Sequence, residues 1–337
     1  MGLLQRLSGD NSDRSSLSEQ RADRFDPFLY DHDLRQAYRA LVDGDWRRLE
    51  RFLKTAPTAW MFSEIISSDV VDLETVTFER WVDFQQSPQS RCFYAAIQIR
   101  DAFRERDDAG YNDPNGLIPP EAEQQFINRL NAAEEILFEV VTDRPALPDP
   151  WVQLLVSGRG LQVHLEELRE RFENAHSRAP FRPDATRSYL TSLTKKWGGS
   201  NTATFDFARW IQAEAEPDSP SREALPMAHI DRGLLAHGRN DLATYLLQPD
   251  VVIELEQGLQ RFLQAIPSPA PPETLGVLNA YALALTPAAT PTARLVIQNF
   301  AEIDDRPTLY PWINYPDDVL DVFASVKAEQ LRYANRV

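Results

Sequence analysis

The sequence predicts an all-α chain of antiparallel helix hairpins, stacked as a tetratricopeptide-like α-solenoid. Three observations predict it. Apolar residues recur at helical spacing along nearly the whole chain after residue 25. Glycine is scarce and proline abundant, 13 and 24 of 337 residues, which suits helices that start and stop sharply and disfavours tightly turned sheets. A proline series (Pro57, Pro88, Pro119, Pro150, Pro183, Pro217, Pro249) recurs every 31 to 34 residues, close to the period of about 34 in helix–turn–helix repeats. No stretch shows sustained two-residue alternation flanked by hairpin turn pairs.

Residues 1–24 read as a flexible tail. Between Ser8 and Arg24 the only large apolar side chain is Leu17, too little to offset the entropy of ordering. Gly2 does not begin a myristoylation motif, because Arg6 stands where Ser or Thr is needed. Leu34, Ala37, Tyr38, Leu41 and Val42 form the first apolar stripe, with Gly44 as its stop. Asp45 caps a second helix carrying Trp46, Leu49, Phe52 and Leu53. Val70–Phe78 is the one segment that resembles a strand, but its apolar residues also fit a helix starting near Asp72, and it reads as helix. Ser90 and Pro119-Pro120-Glu121 open two long helices, the second reaching about Val141. Pairs of shorter helices are expected at 151–157 with 161–175, 184–197 with 200–215, and 221–237 with 241–247. Asp250, Pro291-Thr292 and Asp317 open the last three helices. The organisation expected is a helical region over 25–145 and a repeat region over 146–337. The small residues of the tetratricopeptide consensus do not line up, since Leu193 and Phe205 occupy two of those places.

Charge narrows the partners. Lys plus Arg is 35 and Asp plus Glu is 51, a net charge of −16. Nucleic acid and anionic membranes both need a basic face, so neither is expected as a partner. No apolar run approaches the roughly 20 residues of a membrane span. Cys92 is the single cysteine, which excludes an intrachain disulfide and fits the cytoplasm. It lies in an apolar helical stretch with no base nearby and reads as core.

Lys196-Trp-Gly-Gly-Ser-Asn201, followed by Phe205-Asp-Phe-Ala208, resembles a Trp-Gly-Gly-Ser signature that precedes a helix in a family of uncharacterised bacterial proteins with tetratricopeptide-like domains. The stretch from Leu278-Asn-Ala-Tyr-Ala-Leu-Ala284 to Pro311-Trp312 and Asp317-Asp318 looks like the terminal part of the same family. The resemblance spans about the last two thirds of the chain. It implies a helical-repeat fold and no activity. The residues also speak for themselves. Gly198 and Gly199 end one helix and permit a reversal, Ser200 caps the next, and Trp197 packs into the corner. The other reading, an anion site at the helix start, lacks the Gly-Lys-Ser/Thr of a phosphate loop.

Signatures of catalysis are sparse. His164-Leu-Glu-Glu-Leu168 is not a zinc helix, because position 168 is leucine. His229 and His237 would share a helix face about 12 Å apart, too far for one metal; the histidines read as capping or surface residues. Asp113, Asn115 and Gly116 suit a calcium loop, but Tyr111 and Ala122 stand at its two ends. The pairs Asp304-Asp305 and Asp317-Asp318 are explained by capping and solvation. No metal or cofactor is implied. The chain therefore reads as a non-catalytic scaffold holding a protein or peptide partner, a basic one given the charge. One alternative is an immunity-type protein that neutralises a basic toxin. Another is an enzyme with a polar site assembled from His229, Arg232 and Asp241. The seven tryptophans are either core anchors or binding hot spots.

Overall fold

The structure, a computed structural model, describes residues 26, 30–56, 59–67, 74–112, 117–285, 293–312 and 323–328. Every regular element among them is a helix, and none is a strand. No helix among the described residues is long and apolar enough to cross a membrane. Contacts divide the chain into two compact units, Asp31–Gly199 and Ser200–Val337.

The first unit contains α1 (His32–Val42), α2 (Trp46–Thr55), α3 (Ala59–Ser67), α4 (Thr75–Gln85), α5 (Pro88–Asn112), α6 (Pro120–Asp143), α7 (Asp149–Gly160), α8 (Leu165–Arg178) and α9 (Pro183–Ser192). Local chemistry sets many of the boundaries. Asp31 and Asp45 cap α1 and α2 by accepting from the amides of Leu34 and Arg48. Gly44 takes a left-handed conformation, φ +72°, between them. Ser87 caps α5, its Oγ accepting from Ser90 N at 3.1 Å. The helix therefore starts at Pro88, two residues before the start expected at Ser90. Val42, assigned to the inward stripe of α1, is 57% exposed, while Leu34, Ala37 and Leu41 are buried. Residues 70–73 of the ambiguous Val70–Phe78 segment lie outside the described residues; from Thr75 onward it is helix.

Among the described residues most consecutive helices pack on one another, α3 with α4 excepted, and so do several next-but-one pairs, including α3 with α5, α5 with α7, and α7 with α9. α3 also packs on α9, and Gln153 Nε2 donates to Ser63 Oγ at 2.8 Å. These long-range contacts close the unit on itself. At one end Trp46 stacks on Trp81, and Trp81 on Phe93. At the centre Cys92, Ile99, Phe126, Leu130, Leu137 and Leu154 form a continuous core. Burial pushes the Cys92 thiol well up, so it is an inert core residue. Arg182, just before α9, joins Asp149 and Asp184 in the first turns of α7 and α9, each at 2.7 Å.

The second unit contains α10 (Asn201–Glu214), α11 (Ala224–Leu246), α12 (Pro249–Ala265), α13 (Leu275–Leu285), α14 (Ala293–Ile303) and the short α15 (Leu309–Trp312). Residues 323–328 are also helical. α13 is apolar all round and nearly every residue is buried, as expected of a central helix. Its one strongly polar residue, Asn279, is fully satisfied: Nδ2 donates to Leu275 O at 2.9 Å, and Oδ1 accepts from Trp312 Nε1 at 2.7 Å. Trp81 and Trp312 are thus core anchors, whereas Trp210 is 37% exposed.

The α11 span, Ala224–Leu246, is not one straight helix. In a straight helix residues 229 and 245 stand about 24 Å apart. Here His229 Nδ1 lies 2.9 Å from Tyr245 Oη. A methyl group on Gly233 would lie 2.4 Å from Leu242. The run therefore doubles back between Gly233 and Leu242, a bend that spans the gap expected between 237 and 241. Gly233 permits the close approach of its two arms.

Candidate functional site

An open cavity of about 690 Å³ lies between α10, α11 and the start of α12. α10 contributes Asn201, Thr202, Phe205, Asp206 and Arg209, whose spacing places them on one helix face. The first arm of α11 contributes His229 and Arg232, and the second arm Tyr245. α12 contributes Asp250, Ile253, Glu254 and Gln257 among others.

A chain of polar groups crosses this wall. Arg209 forks onto Glu254, with Nε to Oε1 at 2.7 Å and Nη2 to Oε2 at 3.1 Å. Glu254 Oε2 lies 3.1 Å from His229 Nε2. His229 Nδ1 lies 2.9 Å from Tyr245 Oη. A carboxylate only accepts, so in the neutral ring Nε2 carries the proton and Nδ1 accepts from the Tyr245 hydroxyl. Phe205 closes over the imidazole edge-to-face at 4.7 Å. The guanidinium of Arg232 lies over the Tyr245 ring, 5.3 Å from its centroid.

These contacts perturb two acids. Hydrogen bonds from His229 and then Arg209 pull the Glu254 carboxyl from its ordinary 4.5 down to about 2. Burial pushes the Tyr245 hydroxyl up to about 12, so it stays protonated at neutral pH. Glu254 binds its proton less readily folded than unfolded. Its contribution to stability is present above pH 4.5 and drains as pH falls through about 2. The stability gap between the native chain and Glu254→Gln, measured by urea unfolding, should shrink across that window. A gap independent of pH would refute the assignment.

His229 is 2% exposed, which corrects the expectation of a capping or surface residue. It lies on the inward face of α11 with Leu225 and Gly233, one turn to either side. Both ring nitrogens are engaged by protein groups, so no lone pair is free for a metal. Of the three residues expected to form a polar site, His229 and Arg232 line the same cavity, joined through Tyr245. The Asp241 side chain lies outside the described residues, as do the side chain of His237 and residues Asp113, Asn115, Gly116, Asp317 and Asp318. His164 is exposed at the start of α8. His176 accepts from Phe181 N at 3.2 Å, as a cap does. Asp305 pairs with Lys327 at 2.8 Å. Among the described residues no group of three or more His, Cys, Asp or Glu side chains is placed to hold a metal ion.

In the Trp-Gly-Gly-Ser segment, Lys195–Trp197 form a 3₁₀ turn. Gly198 takes φ +87°. Ser200 caps α10, its hydroxyl accepting from Ala203 N at 3.1 Å. Trp197 is half-buried, with the Arg159 guanidinium over its ring at 5.3 Å. No local sequence pattern marks Arg209, Tyr245 and Glu254 as members of one site. No family model, no curated protein and no solved structure matches the chain.

Proposed function

We propose that the chain is a non-catalytic adaptor in the bacterial cytoplasm. In this reading it is a stack of tetratricopeptide-like helix pairs, and the groove between α10, α11 and α12 holds a basic segment of a protein partner. The observation that carries the reading is the state of His229. It is buried at the groove beside Tyr245, and its two nitrogens are bound to Tyr245 and Glu254. The polar cluster therefore stiffens a concave wall and offers no free base. The groove carries the carboxylates Asp206, Asp250 and Glu254 beside the guanidiniums of Arg209 and Arg232, and Ile253 is 52% exposed, a mixed charged and apolar surface that suits a peptide carrying lysine or arginine beside apolar residues. Next-but-one helix packing supports the stacked-pair architecture, and the net charge of −16 supports a basic partner.

A photo-crosslinking residue at position 253, expressed in the cells of origin, tests this. Position 84 serves as control, since Phe84 is 63% exposed on the other unit. The expected result is one adduct specific to 253, weakened by added salt and by Asp206→Lys with Asp250→Lys. The crosslinked peptide should be rich in Lys and Arg. Equal crosslinking at both positions, or a partner indifferent to salt, would overturn the proposal. A partner that is a toxin neutralised by this chain would make the adaptor an immunity-type protein.

A further inference from the structure

A second cavity, about 190 Å³, lies within the Asp31–Gly199 unit between α5 and α7. Its lining carries three guanidinium side chains, Arg100, Arg104 and Arg159, and one carboxylate, Asp107. That composition runs against a chain whose net charge is −16. Arg100 is a buried cation, its side chain 4% exposed. Its Nε and Nη2 both donate to one oxygen of Asp101, at 3.0 and 2.7 Å, and Arg104 Nη2 lies 3.2 Å from the same oxygen. The Arg104 side chain is 46% exposed. Arg159 Nη1 donates to Ser188 O at 3.3 Å, and its guanidinium lies over Trp197. The Trp-Gly-Gly-Ser turn thereby helps position one of the three arginines. The rest of the wall is largely apolar, with Ile99, Phe103 and Val156.

We infer that this cavity binds a small carboxylate bearing a short hydrocarbon tail. The fork of a guanidinium matches the two oxygens of a carboxylate. A concave site with an apolar wall and a few polar groups suits a small organic ligand. The carboxylate lies against the half-exposed Arg104, with Arg100 and Arg159 adding positive charge around it, and the tail against Ile99, Phe103 and Val156. An inorganic oxyanion would satisfy the charge and leave the apolar wall wet. The inference is independent of the groove on the second unit.

Calorimetric titration of the full chain with butyrate, butyramide and inorganic phosphate tests it. Butyrate should bind saturably in the millimolar range or tighter. Butyramide, which keeps the tail and lacks the charge, should not bind, and phosphate should bind more weakly than butyrate. Arg104→Gln should weaken butyrate about tenfold, or about 1.4 kcal/mol, with little change in the melting midpoint, because the side chain is nearly half exposed. Arg104→Lys, which keeps the charge without the fork, should retain part of the affinity. Absence of saturable butyrate binding would overturn the inference. So would equal binding of butyramide, tighter binding of phosphate, or affinity unchanged in both Arg104→Gln and Arg159→Gln.

Discussion

Arg171→Met should destabilise the Asp31–Gly199 unit by about 3–5 kcal/mol, because it strands a buried carboxylate. Arg171 on α8 is 4% exposed and Glu134 on α6 is 9% exposed. The guanidinium donates to both Glu134 oxygens, at 2.6 and 3.2 Å, to the carbonyl of Leu154 at 2.5 Å, and to Glu167 at 2.5 Å. Ser157 Oγ adds a bond to Glu134 at 2.7 Å. With the arginine gone, Glu134 would keep only the serine, and the Leu154 carbonyl would lose this donor. Breaking one side of a buried pair costs the desolvation of the survivor, whereas replacing both sides by apolar groups removes that cost. The double variant Arg171→Met with Glu134→Leu should therefore recover most of the loss. Urea unfolding reads the free energies, and hydrogen exchange in α6, α7 and α8 reads the location. A double variant no more stable than Arg171→Met would show that the loss comes from packing and not from the stranded charge.

The features legible in the sequence are those carried by a few neighbouring residues. Asp45 and Ser200 were readable as caps because a cap bond spans three residues. Gly44 and Gly198 were readable as stops because a left-handed residue at a helix end favours glycine. The all-helical class followed from apolar periodicity, which reports the inward face of each helix. Periodicity does not report which helix that face meets. Arg171 and Glu134 are 37 residues apart, and Arg209 and Glu254 are 45 apart. Each looks like an ordinary solvent-facing charge in its own amphipathic pattern. His229 does carry a local signal: it sits in phase with Leu225 and Gly233 on the buried stripe of α11, against the general habit of polar residues to lie outside. Tyr245 was beyond reach, because its approach to His229 depends on the doubling back of α11. The division of contacts after Gly199 falls inside the Trp-Gly-Gly-Ser segment, where the sequence shows a turn and no change in composition.

That turn sets apart two glycines which look interchangeable in the sequence. At Gly199 an added Cβ would lie 2.0 Å from Leu193 O, 2.4 Å from Leu193 C and 2.8 Å from Leu193 Cα. All three are backbone atoms, so no rotamer change relieves the clash, and the end of the 3₁₀ turn has to be rebuilt. At Gly198 an added Cβ meets nothing within 4 Å; its φ of +87° is the whole cost. Gly199→Ala should thus lose about 3 kcal/mol or more, Gly198→Ala about 1 kcal/mol, and Gly198→Asn less still, because asparagine tolerates the left-handed region. Thermal and urea unfolding of the three variants gives the order. Shifting the turn also moves Trp197 off Arg159, so Gly199→Ala should weaken butyrate binding in the arginine-lined cavity while Gly198→Asn leaves it intact. Equal losses at the two glycines would mean that both serve only as conformational stops, and that the backbone of Leu193 yields to a methyl group without resistance.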